Sequence, residues 1–196
     1  MPKQIWINSS LHTQGKPPCL PASPCSLTTL PSNIPQGTHP ILKSVDGATA
    51  PVPVNQAGGE SDLDFELAYP LIYPQTIKLF QTDDNVYANS GQYLGIFNTF
   101  LDAIDGSYCS YTAFNETGNL AGIDPVYPDP APGGYKGHLQ CGVYKPTNVI
   151  SISYGEQESQ LPRNYQQRQC NEFMKLGLQG GSHPRLSPTP VHPASL

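Results

Sequence analysis

Charge is scarce in this sequence, and acid is missing altogether from both ends. Lys, Arg, Asp and Glu make up 13% of 196 residues, against about 25% in an ordinary globular domain. No acid precedes Asp46 and none follows Glu172; all fifteen lie between them. Only ten residues are Lys or Arg, and the formal net charge is −5. That excludes a nucleic-acid binder, because phosphate contact needs clustered cations. No apolar run approaches the ~20 residues of a membrane span. The amino terminus, MPKQIWINSS, lacks the apolar core of a signal peptide. None of the cysteines at 19, 25, 109, 141 and 170 forms a C-x-x-C pair, so zinc spacing is missing and no metal site is expected. They are either buried thiols or, for Cys109 and Cys141, one disulfide of an exported protein. Asn8 and Asn115 open N-x-S/T tripeptides, which chance supplies too often to carry weight.

Proline and glycine are plentiful, with 22 and 18 copies. Residues 1–40 hold eight prolines, and residues 181–196 hold four more. Neither end shows apolar periodicity, so neither buries enough surface to offset the entropy of ordering. The organisation expected is a disordered or misassembled segment over 1–32, a folded part over 33–180, and a disordered tail over 181–196.

The middle alternates helix and strand patterns. Glu60 to Tyr69 reads as a helix stopped by Pro70, because the residue before a proline avoids the helical region. TIKLFQ (76–81) reads as a strand. GIFNTFLDAIDG (95–106) sets Ile96, Phe97, Phe100, Leu101 and Ile104 at helical spacing, with Gly106 as its cap. Residues 106–146 read as loop. NVISISYG (148–155) has the β-branched run of a buried parallel strand. Pro162 opens a helix to about Gln179, with Tyr165, Phe173 and Leu176 inward. The pattern predicts an α/β fold with a parallel sheet covered on both faces. GSHPRLSPTP, after Gly180, is not expected to form a strand.

GGESDLDFELAYP (58–70) is the exception to the low charge, with Glu60, Asp62, Asp64 and Glu66 in seven positions. On a wheel of roughly 100° per residue, Glu60 and Asp64 fall in an arc with Leu63, Leu67 and Ala68, which predicts an inward pair. Asp62 and Glu66 fall opposite, toward water. Helix-dipole capping explains Asp62 and part of Glu60. It does not explain two carboxylates in an apolar arc, where an unpaired charge is costly. Neighbouring carboxylates push their pKa values apart, so that one holds a proton or serves as a base.

Four stretches together resemble the fungal sedolisins, or serine-carboxyl peptidases, of the aorsin-like and tripeptidyl-peptidase-like kind. They are GGESDLDFELAYPLIYPQTI, GIFNTFLDAIDGSYC, GGYKGHLQCGVYKPTNVISISYG and YQQRQCNEFMKLGLQG. The resemblance runs from about Asn33 to Gly180, and the E-x-x-L-D element is its most specific part. It implies a subtilisin-like, doubly wound parallel sheet, incomplete here and flanked by Pro-rich ends. It implies acid-pH proteolysis by a Ser-Glu-Asp triad, with Glu60 as general base and Asp64 orienting it. Ser153, Tyr154 and Gly155 would line the peptide subsites, or else only continue a core strand. The implied partner is a peptide or protein substrate, with neither nucleic acid nor membrane, and the chain is expected to be a monomer. The full-length family member is expected to be secreted.

The family's S-G-D-x-G segment, with its oxyanion aspartate, is replaced here by GSHPRLSPTP. The S-G-T-S nucleophile segment and the calcium-binding loop are absent, so no cofactor is expected in this chain. On this reading the chain is a truncated piece with two of four catalytic groups, inactive alone. The alternative is a non-catalytic remnant or pseudo-peptidase that at most binds peptides. A Ser-His-Asp hydrolase is disfavoured, since His12, His39, His183 and His192 lie in Pro-rich or QGTHP contexts and His138 lacks a His-Gly-Thr setting. A glycosidase pair and a metal site at Glu60, Asp64 and Asp105 lack further support.

Overall fold

The structure is a computed structural model. It describes residues 4–9, 33–35, 37–52, 59–90, 97–116, 121–152, 159, 161–179 and 182–186, with the backbone alone for 4–9, 59–62 and 182–186. In chain order the elements are β1 (Gln4–Ser9), β2 (Ile41–Ser44), α1 (Gly59–Ile72), β3 (Ile77–Thr82), α2 (Asn85–Ser90), α3 (Asn98–Ile104), α4 (Gly106–Ser110), β4 (Val149–Ile152), α5 (Arg163–Leu178) and β5 (Ser182–Leu186). The strands form one sheet in the order β2-β3-β1-β4-β5. Every pairing is parallel, as expected for an α/β chain.

Strand alternation builds two cores from β3. Ile77 and Leu79 point to one face, where Phe65, Ala68 and Tyr69 of α1 cover them. Phe80 points to the other, against Phe100, Leu101 and Ile104 of α3 and Leu176 of α5. Phe80 meets Phe100 edge to face at 5.4 Å between ring centres. All seven residues of α3 are buried, so this helix is enclosed protein rather than an amphipathic cover. The predicted inner residues Tyr165 and Leu176 are buried, and Phe173 packs beside them. Ile96 lies outside the described residues.

Two strands lie outside the expected folded span. QIWINS, expected to be disordered, is the middle strand of the sheet, paired to β3 on one side and β4 on the other. Ile5, Trp6 and Ile7 make a short continuous apolar run, the pattern of a parallel strand, set in a long Pro-rich stretch. SHPRL pairs with β4, although Pro184 argued against a strand. It is an edge strand, and its register slips between Val149–Ser182 and Ser151–Arg185. An edge and a bulge are the places where a sheet tolerates proline.

Helix ends also differ from expectation. Pro70 does not stop α1, which continues to Ile72. The proline removes one ladder bond, and Tyr73 N–H still donates to Tyr69 O at 3.0 Å. Gly106 does not terminate α3 as a cap but opens α4, because Asp105 accepts from Ser107 N–H and caps that helix. Within 106–146 the described residues carry α4 and two isolated β-bridges and otherwise run as loop. A Cys109–Cys141 disulfide ties that loop to α4.

Candidate functional site

β2, α1 and β3 form a βαβ unit, since β2 and β3 are parallel neighbours. The helix therefore starts at the edge where β2 ends and runs back antiparallel to the strands. Glu60 and Asp64 occupy the first two turns of α1, at the carboxyl edge of the sheet. Ligands of open α/β sheets bind outside this edge. β4 ends at Ile152 on the same edge. Ser153, Tyr154 and Gly155, expected to line a peptide cleft, lie outside the described residues.

The arc in which the wheel set Asp64 is not the core face of α1, and the side chain of Glu60 lies outside the described residues. The buried face of α1 is Phe65, Ala68 and Tyr69, while Leu63 is 49% exposed and Leu67 is 60% exposed. Leu71, in line with them, is 84% exposed. Asp64 is half-buried at the flank of this outward arc, and Glu66, expected in water, is also half-buried. The wheel weighed two leucines above Phe65 and Tyr69, and the larger aromatic surfaces won the sheet contact.

Among the described residues eight acids are buried at positions the sequence did not single out, including Asp46, Asp83, Asp84, Asp102, Asp124 and Glu172. Three stand at the ends of β2 and β3. Asp46 and Gln140 bond reciprocally, N–H to Oε1 at 3.1 Å and N–H to Oδ1 at 2.8 Å. Tyr127 hydroxyl donates to Asp83 Oδ1 at 3.2 Å. Asp84 accepts from Val86 and Tyr87 N–H, capping α2, and from Tyr135 N–H at 2.7 Å. These acids tie the loop around 127–140 over the carboxyl edge. Burial raises Asp46 to about 7, with the neighbouring Asp83 and Asp84 adding to the rise. Burial likewise raises Asp83 to about 6. QTDD directly after an apolar strand was the available signal; two adjacent acids at a strand end are satisfied there by loop backbone.

Gly47 shows how closely that loop seats. Its φ is +81°, and a Cβ there would stand 2.6 Å from Tyr135 Cβ. Gly47→Ala is expected to destabilise the fold by about 2–4 kcal/mol, joining the left-handed backbone cost to overpacking. Urea denaturation checks this; a loss below about 0.5 kcal/mol would show that the loop is not seated on Gly47.

A second buried polar group fills the seam between α3 and α5. Arg168, 4% exposed, stacks on the Tyr108 ring at 3.7 Å and donates to the Tyr108 and Tyr111 carbonyls. Asn98 donates to Asp124 Oδ1 at 2.6 Å and accepts from the Tyr108 hydroxyl and from Gln169. Lys175 bonds Asp105, Ser107 and Glu172. Asp102 is fully buried, with neither carboxyl oxygen bonded among the described residues.

Among the described residues no group of three His, Cys, Asp or Glu is placed to hold a metal ion, and no helix is long and apolar enough to cross a membrane. No family model and no solved structure matches the chain. Three curated relatives do. Aorsin of Aspergillus oryzae is 66% identical over 154 residues, covering 79% of this chain and 23% of the relative. Tripeptidyl-peptidase sed1 of Aspergillus fumigatus is 60% identical over 155 residues, with the same coverage of each. Tripeptidyl-peptidase SED1 of Arthroderma otae is 40% identical over 152 residues, 74% of this chain and 21% of the relative. The chain thus spans less than a quarter of the length of these relatives. A match of 154 residues in a chain of 196 leaves at most 42 outside it, so Glu60 and Asp64 both fall within the aorsin match. At 40–66% identity, over a span that includes the E-x-x-L-D helix, this chain is similar to part of these sedolisin-type peptidases.

Proposed function

We propose that this chain is part of a serine-carboxyl peptidase and contributes its base and orienting acid. Glu60 takes the proton of a serine nucleophile, and Asp64, one turn on, holds Glu60 in position, as the third member of a triad does. The observation that carries this is the 60–66% identity spanning both acids, on a helix that starts at the carboxyl edge of a parallel sheet. The subtilisin-like sheet is part of the same proposal. The two covered faces and the all-parallel pairing support it. The substrate is a peptide bound along that edge, with Ser153, Tyr154 and Gly155 beside it. Working pH is acidic, because a carboxylate base needs a pKa near the operating pH.

Neither S-G-D-x-G nor S-G-T-S occurs among the 196 residues, so the chain by itself is expected to show no turnover on peptides at pH 3–6. The role of its residues is tested by grafting them in place of the matching 23% of the Aspergillus fumigatus tripeptidyl-peptidase. The chimera is expected to release tripeptides in acid. A folded chimera without activity, or clear cleavage by the isolated chain, would sink the proposal. The second reading, a peptide-binding remnant, predicts saturable peptide binding by the chain with no turnover in a folded chimera.

A further inference from the structure

We propose that the seam between α3 and α5 is a pH-operated latch, which holds α5 on α3 while its carboxyls carry protons and loosens it when they ionise. The latch goes beyond the peptidase reading and does not depend on it. It stands first on a mismatch of buried charge. Asp102 of α3 faces Arg168 and Glu172 of α5, Asp124 of the following loop, and Asp46 beyond β2. Glu172 faces Lys175 on its own helix and Asp105 at the α3–α4 junction. Among the described residues Arg168 is the cation that opposes both Asp102 and the buried Glu116, and Lys175 is the one shared by Asp105 and Glu172. Tyr108 of α4 also faces the group and is held neutral by burial.

The bonding is unequal as well. Arg168 spends its donors on the Tyr108 and Tyr111 carbonyls, and its Nη1 has no partner among the described residues. Neither oxygen of Asp102 and only one of Glu172 is bonded among them. An ionised carboxylate without donors in a buried seam is costly, whereas a protonated one is neutral and can itself donate. Lys175 is committed to Asp105, whose carboxyl burial alone would raise, but the bonds from Lys175 and Ser107 outweigh burial and hold it below the usual range. Glu172 is left as the proton acceptor of that trio. Burial raises it to about 7, with its bond to Asp105 adding to the rise and Lys175 opposing it. Burial raises Asp102 well above the carboxylate range, with Arg168 opposing.

The direction follows from linkage. A carboxyl whose folded pKa is raised holds its proton more tightly folded than unfolded. Its contribution to stability is complete below the unfolded value near 4 and is lost as pH rises through the folded value. Glu172 therefore places the loss between about pH 4 and pH 7. Asp105 acts oppositely, and only below about pH 4.

Urea unfolding of the 196-residue chain at pH 5, 6, 7 and 8 tests the latch. The unfolding constant is expected to rise on the order of 100-fold or more from pH 5 to pH 8. Asp102→Asn with Glu172→Gln is expected to remove at least about tenfold of that rise. A rise below tenfold, a fall, a full rise retained in the double variant, or no cooperative transition at any of these pH values would overturn the proposal. Should the double variant not fold, carboxyl-carbon NMR of the unaltered chain decides. Glu172 titrating above pH 6 supports the latch, and titration near pH 4 overturns it.

Discussion

Glu60→Gln is expected to lower kcat of the grafted peptidase by about a thousandfold or more, with little change in KM. Glutamine keeps the size of glutamate and can still accept a hydrogen bond, but it cannot take a proton. A base that acts only in the transition state is lost from kcat, whereas a residue that merely binds substrate would raise KM. Asp64→Asn should cost less, about 10- to 1000-fold, because orientation is weakened while the base remains. The paired measurement separates the proposed roles. Equal losses would make the two acids interchangeable, and a Glu60→Gln loss below tenfold would remove Glu60 from the chemistry. Neither variant should change urea stability by more than about 1 kcal/mol, since the core face of α1 is Phe65, Ala68 and Tyr69.

Arg168→Ala is expected to cost about 3–5 kcal/mol at pH 7. Arg168 is the cation opposite Asp102, and its guanidinium satisfies two buried carbonyls while stacking on Tyr108. Its removal leaves those carbonyls without their donor and opens a cavity beside α4. The loss should shrink as pH falls, because Arg168 holds Asp102 toward its charged form and a protonated carboxyl no longer needs a counter-charge. Thermal or urea unfolding at pH 7 and pH 5 measures the cost and the direction of its change. A cost under 1 kcal/mol at pH 7 would show that the seam is solvated and that Arg168 is not structural.

Both experiments concern acids, and the acids show what can be read from a chain. The E-x-x-L-D cluster stood out because four charges sit close together in sequence. Asp46, Asp83 and Asp102 did not, because each is separated in sequence from its partner: Gln140, Tyr127 and Arg168 become neighbours only on folding. A wheel reports which residues share a face and says nothing about which face the sheet takes. For α1 that choice went to Phe65 and Tyr69 over Leu63 and Leu67, since the aromatic rings bury more apolar area.

Local pattern by itself determined the α/β class, strands β3 and β4, the helix after Pro162, and the inner residues Tyr165 and Leu176. Each is set by a periodicity carried within one element. The four quoted stretches also carried the family resemblance. Tertiary structure alone decided that QIWINS is the central strand, that SHPRL closes an edge, and that Cys109 and Cys141 are joined. A strand is stabilised by its neighbours rather than by its own bonds, so a short one in Pro-rich surroundings becomes visible only when its partners are in place. The same holds for the buried carboxyls. Their proton affinity belongs to the buried seam around them, which no stretch of sequence contains until α3 and α5 meet.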